Sequence, residues 1–116
     1  MEDYIKLCKT SELKNKFGKK FTLEDGNEIA VFKVGVSFHA FSNTCPHNHT
    51  PSMSEGIIEN GTYVICPIHC YKFNIETGKT PPEQKDMSGR LEIFRTMVID
   101  DELWVEKKKK NLFKWL

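Results

Sequence analysis

Ile57-Ile58-Glu59-Asn60-Gly61-Thr62-Tyr63-Val64-Ile65 decides the fold class. Two short runs of β-branched and aromatic residues flank Asn60-Gly61, the pair best suited to a type I′ turn because both residues tolerate the positive φ it needs. The same punctuation recurs elsewhere. Lys19–Leu23 and Glu28–Val34 flank Asp25-Gly26-Asn27, Val36–Phe41 follows almost at once, and Phe94–Ile99 and Leu103–Val105 flank a turn at Asp100-Asp101. Ser11–Lys16 alone reads as a helical turn, with Ser11 as its N-cap. Many short strands joined by hairpins predict an all-β domain, an antiparallel β-sandwich or small barrel. Phe32, Phe38, Phe41, Tyr63, Phe73, Phe94 and Trp104 then read as core or half-buried sheet positions.

A chain of 116 residues makes one domain, with a core but no room for a second catalytic module. Its 7 glycines and 5 prolines exclude collagen-like and low-complexity classes. The longest apolar stretch, Tyr63–Ile68, falls far short of the roughly 18 residues of a bilayer span, and Met1-Glu2-Asp3-Tyr4-Ile5-Lys6 lacks the basic-then-apolar pattern of a secretion signal. The expectation is a cytoplasmic protein without a membrane span. Charge is divided unevenly. Lys107, Lys108, Lys109, Lys110 and Lys114 crowd the last ten residues, while all 16 acidic residues lie at or before Glu106. The body, with twelve basic residues against sixteen acidic, is net −4 and the tail +5, which argues against nucleic acid as the main partner.

Two segments break the strand pattern, and both carry cysteine and histidine: Cys45-Pro46-His47-Asn48-His49-Thr50-Pro51 and Cys66-Pro67-Ile68-His69-Cys70-Tyr71. Proline cannot donate to a ladder, so these are loops leaving strand ends. Lys79-Thr80-Pro81-Pro82 is stiffened in the same way. Four cysteines without a secretion signal point to metal ligands or free thiols rather than a disulfide framework. Cys45 and His47 read Cys-x-His, and Cys66 and His69 read Cys-x-x-His, so each loop supplies one thiolate and one imidazole. If one iron takes both cysteines and the other both histidines, the result is a [2Fe–2S] centre in which two histidines replace two cysteines. Two ferric ions, two sulfides and two thiolates sum to about zero charge, against about −2 with four cysteines, which raises the reduction potential.

On these residues the sequence resembles the Rieske [2Fe–2S] family, and within it the small Rieske-type ferredoxins. Cys45-Pro46-His47, then Cys66-Pro67-Ile68-His69, Tyr71, Phe73 and Thr77-Gly78 carry the resemblance, which covers nearly the whole chain. It implies cluster binding by Cys45, His47, Cys66 and His69, with both ligand loops at one tip of a β-sandwich under a loop containing Pro81-Pro82. The edges of the two histidines would lie near solvent as the exit for electrons. Where the family has glycine after the second histidine, this chain has Cys70, a substitution that strains a backbone shaped for glycine. Cys70 is read as a buried, inert thiol, with a reactive thiol near the cluster as the alternative. High-potential relatives resemble one another in a disulfide joining the two loops, at the positions of Thr50 and Ile68 here; neither residue can form it, so a lower-potential centre is expected.

Other readings of the same residues carry less. Zinc also takes thiolate and imidazole ligands, but zinc fingers usually open with Cys-x2–4-Cys. A Cys–His nucleophile lacks a third orienting residue or oxyanion motif. Gly78-Lys79-Thr80 ends like a phosphate loop, yet Phe73 stands where its first glycine belongs. His49 is read as exposed or behind the ligands, His39 as a surface or satisfied sheet residue, and Cys8 as a small core residue. Residues 1–106 would form the domain, and 107–116 a basic and aromatic tail. That tail is read as a solvated lysine run whose Leu112, Phe113, Trp115 and Leu116 fold back on the body, with a docking segment as the alternative.

Family members that oxidise substrates carry a separate mononuclear-iron domain, for which this chain has no room. The resemblance therefore implies a one-electron carrier, not an enzyme, placed between a flavin-containing NAD(P)H reductase and a terminal oxygenase or other redox enzyme. The alternative is a cluster-bearing small subunit of an assimilatory nitrite reductase, similar in fold and length.

Overall fold

The structure, a computed structural model, describes residues 3–46, 49–68, 70–84 and 89–108. Among them, ten strands form three antiparallel sheets. In chain order the strands are β1 (Tyr4–Lys9), β2 (Gly18–Thr22), β3 (Glu28–Val34), β4 (Ser37–Ser42), β5 (Ile57–Glu59), β6 (Tyr63–Ile65), β7 (Lys72–Asn74), β8 (Ile93–Phe94), β9 (Thr96–Ile99) and β10 (Glu102–Glu106). The sheets run β1-β10-β9, β2-β3-β4-β8 and β5-β6-β7. Hairpin chemistry falls where the sequence puts it. Asn60 and Gly61 have φ of 51° and 65°, and Asp100 and Asp101 have 50° and 63°, while Asp25 Oδ1 accepts the Asn27 N–H at 2.9 Å.

Strand β3 of the four-stranded sheet is buried on both faces. Along β3, Ala30 and Phe32 pack with Phe41, Met53, Val64, Phe73, Cys45 and Cys66. The alternate residues, Ile29 and Val31, pack on the opposite side with Ala40, Phe94, Leu103 and Val105. Strand alternation sends successive side chains to opposite faces, so the unbroken apolar run Ile29–Phe32 belongs to two cores at once. The first core holds both cysteines of the ligand loops, and the second is closed by the sheet of β1, β10 and β9.

Two elements differ from the sequence reading. The expected helical turn over Ser11–Lys16 is a single 3₁₀ turn at Thr10–Glu12 preceded by Lys9, and Ser11 does not cap it. Glu12 Oε2 accepts the Lys9 N–H at 2.8 Å, and the chain turns extended at Leu13, which is 5% exposed; burial of that leucine ends the turn. The expected strand Phe94–Ile99 is split at Arg95 between β8, paired with β4, and β9, paired with β10. Glu106 makes the crossing possible: its carboxylate accepts the Arg95 N–H at 2.8 Å, and its own N–H donates to the Arg95 carbonyl at 2.9 Å. A second 3₁₀ turn, Met53–Glu55, follows the first ligand loop.

That turn is packed against the start of β2. A Cβ on Gly18 would collide with the Ser54 carbonyl oxygen and lie 2.5 Å from Cζ of the buried Phe32. Gly18→Ala is therefore expected to lower the unfolding free energy by about 1–3 kcal/mol, the usual cost of overpacking. Urea denaturation of wild type and variant checks it, and an unchanged midpoint would refute the close contact.

Candidate metal centre

Each ligand loop begins where a short strand ends: Cys45 lies three residues beyond β4 and Cys66 directly after β6. Both cysteines are fully buried. The loops close on themselves by the same two bonds. Cys45 N–H donates to the Thr50 carbonyl at 2.9 Å and His49 N–H to the Cys45 carbonyl at 2.8 Å; in the second loop Cys66 N–H donates to Tyr71 and Cys70 N–H to Cys66, each at 2.8 Å. In both, proline occupies the second position, and the fifth residue, His49 or Cys70, is left-handed with φ of 59°. Peptide groups at the tip of a core must find partners, and this closure supplies them as the next rung beyond the Thr44–Pro51 bridge in the first loop and beyond the Ile65–Lys72 pair of β6 and β7 in the second.

Two buried polar side chains stand out among the described residues, Asn43 at 0% and Ser52 at 5% exposure, and they bracket the first loop. Asn43 Nδ2 donates to Glu28 Oε1 at 2.8 Å and to the Pro51 carbonyl at 3.2 Å. Its Oδ1 accepts the Ser54 N–H at 2.7 Å. Asn43 thus ties both the loop and the turn after it to β3. Ser52 Oγ lies 2.9 Å from Thr50 Oγ1 and 3.6 Å from Cys66 Sγ, so it reaches from one loop to the other. The proline loop is fastened differently. Gln84 uses its side-chain amide as a strand would, its Oε1 accepting the Lys72 N–H at 2.8 Å and its Nε2 donating to the Lys72 carbonyl at 3.2 Å. Pro81 is buried. Gly78, with φ of 77°, turns the intervening chain so tightly that a Cβ would strike the Leu91 carbonyl oxygen.

A family model described as the Rieske [2Fe-2S] domain matches residues 3–95. The chain belongs to this family. Ferredoxin CarAc of Metapseudomonas resinovorans is 30% identical over 107 residues, covering 92% of this chain and 96% of that protein. A chain from the complex of reduced oxygenase and oxidized ferredoxin in carbazole 1,9a-dioxygenase superposes with a TM-score of 0.76 at 29% identity, covering 87% of this chain and 99% of that one. A Mycobacterium tuberculosis protein described as an NADH-dependent nitrite reductase small subunit superposes with a TM-score of 0.80 at 23% identity over 92% of this chain and 96% of that one, a likeness that shows the fold alone. The cofactor of this Rieske domain is the Rieske-type [2Fe–2S] cluster, and the protein is an electron carrier of the ferredoxin kind. Among the described residues no helix is long and apolar enough to cross a membrane.

Of the four candidate ligands of the Rieske centre, Cys45 and Cys66 share one core, whereas His47 and His69 lie outside the described residues. Among the described residues no three metal-binding side chains converge. The tail beyond Lys108 also lies outside them. Lys108 itself sits 4.6 Å above the Phe94 ring and 3.4 Å from the Glu92 carboxylate. Cys8 is buried as expected, and burial, then the Glu12 carboxylate, pushes its thiol pKa up. His49 is exposed. His39 is half-buried, its Nε2 3.1 Å from Ser37 Oγ. Burial outweighs the neighbouring Glu76 and the Ile75 backbone and lowers its pKa from the ordinary 6.5. Asn43, Ser52 and Gln84 are absent from the sequence reading, because what marks them is burial and distant partners.

Cys70 corrects the sequence reading: it is exposed, not buried. The left-handed backbone at this position turns its side chain outward, at a cost of roughly 1–2 kcal/mol that glycine would avoid. Cys70→Gly is expected to raise the unfolding free energy by up to about 1 kcal/mol, the gain being trimmed by glycine's larger unfolded-state entropy. Iodoacetamide should label one thiol per native chain, and mass spectrometry should find it on the peptide containing Cys70; label on Cys8 instead would contradict the burial pattern. His39 gives a pH signature. Since folding disfavours its protonated form, its contribution to stability is present above about pH 6.5 and is lost as pH falls through the lower folded-state value. His39→Gln should flatten that slope in denaturation midpoints measured between pH 5 and 8.

Proposed function

We propose that Cys45 and Cys66 ligate one iron through their thiolates and His47 and His69 the other through their imidazoles. The chain then carries single electrons from a flavin-containing NAD(P)H reductase to a terminal oxygenase in the cytoplasm. The observation that carries this reading is the pair of fully buried cysteines heading two loops that close by the same hydrogen bonds. Soft thiolates with imidazoles form the donor set that a mixed-ligand [2Fe–2S] centre takes, and that bound group supplies a one-electron redox site. The residues around it do the rest. Met53, Phe41, Val64 and Phe73 keep water from the cysteine side, Asn43 fixes the first loop to the scaffold, and Gln84 holds the proline loop beside the second. Ferredoxin CarAc aligns with almost the whole chain, and the carbazole dioxygenase complex pairs its ferredoxin with an oxygenase, which supports the same kind of acceptor here. Residues 1–106 form the electron-carrying domain, with 107–116 as a basic and aromatic tail.

Electron paramagnetic resonance of the dithionite-reduced protein, purified without air, tests the centre. The expected spectrum has an average g-value below that of a four-cysteine [2Fe–2S] cluster; a silent, colourless, zinc-containing protein would overturn the reading. In His47→Cys or His69→Cys with the cluster retained, added thiolate charge is expected to lower the midpoint potential, and an unchanged midpoint would count against the ligand assignment. Copurification separates the partners. Transient docking to an oxygenase is expected, whereas stable assembly with a large sirohaem-containing chain would make this a nitrite reductase subunit.

A further inference from the structure

Ser52 Oγ lies between two oxygen and sulfur partners on different loops, 2.9 Å from Thr50 Oγ1 and 3.6 Å from Cys66 Sγ. Its position is held from both sides. Its N–H donates to the Thr50 carbonyl at 2.9 Å, its carbonyl accepts the Glu55 N–H at 3.0 Å, and the next residue, Met53, donates to the Asn43 carbonyl at 3.0 Å. At 5% exposure the hydroxyl must find its partners inside the protein.

While Cys66 keeps its proton, either atom of each contact can donate. Ligation removes that freedom. A metal-bound sulfur is a thiolate and accepts only, so the Ser52–Cys66 contact is a hydrogen bond when Ser52 is the donor. Its oxygen is then left to accept from Thr50 Oγ1. We propose that Ser52, supported by Thr50, is a positioning residue that sets the reduction potential of the centre by donating a hydrogen bond to the Cys66 sulfur. The inference rests on the reading of Cys66 as a cluster ligand.

The sign of the effect follows from charge. Reduction adds one electron and one unit of negative charge, with no bond made or broken at Ser52 and no proton released by it. The reduced centre would be one unit more negative than the oxidised one, so an O–H dipole aimed at a ligand sulfur would stabilise the reduced state more. The buried setting strengthens the bond, and the Thr50 hydroxyl polarises the Ser52 hydroxyl further. Ser52 thereby raises the potential.

Spectroelectrochemical titration of Ser52→Ala, Thr50→Val and Thr50→Ser tests this, with iron content and the paramagnetic resonance line shape as controls for an intact centre. At the wild-type midpoint, Ser52→Ala is expected to hold a reduced-to-oxidised ratio about tenfold lower, a shift of about 59 mV for one electron. Thr50→Val should move the same way by less, and Thr50→Ser should stay near wild type. Resonance Raman adds a readout that a merely structural role would not move: iron–sulfur modes that shift on transfer of wild type to D2O should lose part of that shift in Ser52→Ala. A cluster-bearing Ser52→Ala with wild-type midpoint and isotope shift overturns the proposal. If Ser52→Ala fails to fold, Thr50→Val carries the test, and a wild-type midpoint there overturns it equally. Cys66→Ala separates this failure from that of the underlying reading: a retained Rieske-type spectrum would remove Cys66 as a ligand, whereas its loss beside an unmoved Ser52→Ala would refute the role of Ser52 alone.

Discussion

Two fully buried thiols have to be presented from the end of a β-core without stranding the peptide groups beside them. Beyond the Thr44–Pro51 bridge and the last β6–β7 pair, Ile65 with Lys72, each loop must satisfy its own backbone. Both solve the problem with the same five-residue closure, in which the cysteine N–H reaches a carbonyl five residues on and the cysteine carbonyl takes an N–H from the fourth. The rest follows from that geometry. Proline is tolerated at the second position because no donor is needed there, and the fifth residue is driven left-handed, at 59° in His49 and Cys70 alike. The cost of replacing the family's glycine by Cys70 is thus a property of the closure, not of the cluster.

The closure would position nothing if the loops were free to swing as units, and the scaffold prevents this through one two-faced strand. Ile29 and Val31 anchor β3 to the core beneath it, while Ala30 and Phe32 form part of the core that holds both cysteines. Asn43 extends that anchorage into the loop, since its amide bonds Glu28 at the start of β3, Pro51 at the end of the loop and Ser54 in the following turn. A buried amide with three partners is costly to disturb, because each partner would be left unsatisfied away from water. Gly18 lets β2 pack against the same turn with no side chain between them.

What could be read from the sequence was local chemistry. Asn60-Gly61 and Asp100-Asp101 announce their turns because the positive φ they adopt is written into the residue types. The paired Cys/His loops are legible for the same reason: spacing and proline suffice to place them outside the strands. The run Ile29–Phe32 is apolar without alternation, and its meaning, two cores rather than one, becomes visible once both packing partners are known. The break at Arg95 is illegible because its cause, Glu106, is eleven residues away. Ser52 and Asn43 are ordinary polar residues in a polar stretch, and burial alone distinguishes them. The exposure of Cys70 is illegible in the residue type, since cysteine is usually buried, whereas here the backbone is left-handed and the side chain exposed.

Electron carriers work best when a change of one charge demands little movement, since any dipole that must turn adds to the barrier. In the high-potential members of the family, from which this sequence departs, the two loops are joined covalently at positions held here by Thr50 and Ile68. This chain spans the same gap with a hydroxyl contact, Thr50 to Ser52 within the first loop and Ser52 to Cys66 in the second. A disulfide restrains the loops but donates nothing to a ligand sulfur. A hydroxyl held by backbone bonds on both sides would, if Cys66 ligates the centre and Ser52 is the donor, also aim a fixed dipole at a ligand sulfur. Rigidity and electrostatic bias therefore come from the same few atoms, and the loop that holds them is in turn fixed by Asn43 to the strand that both cores share.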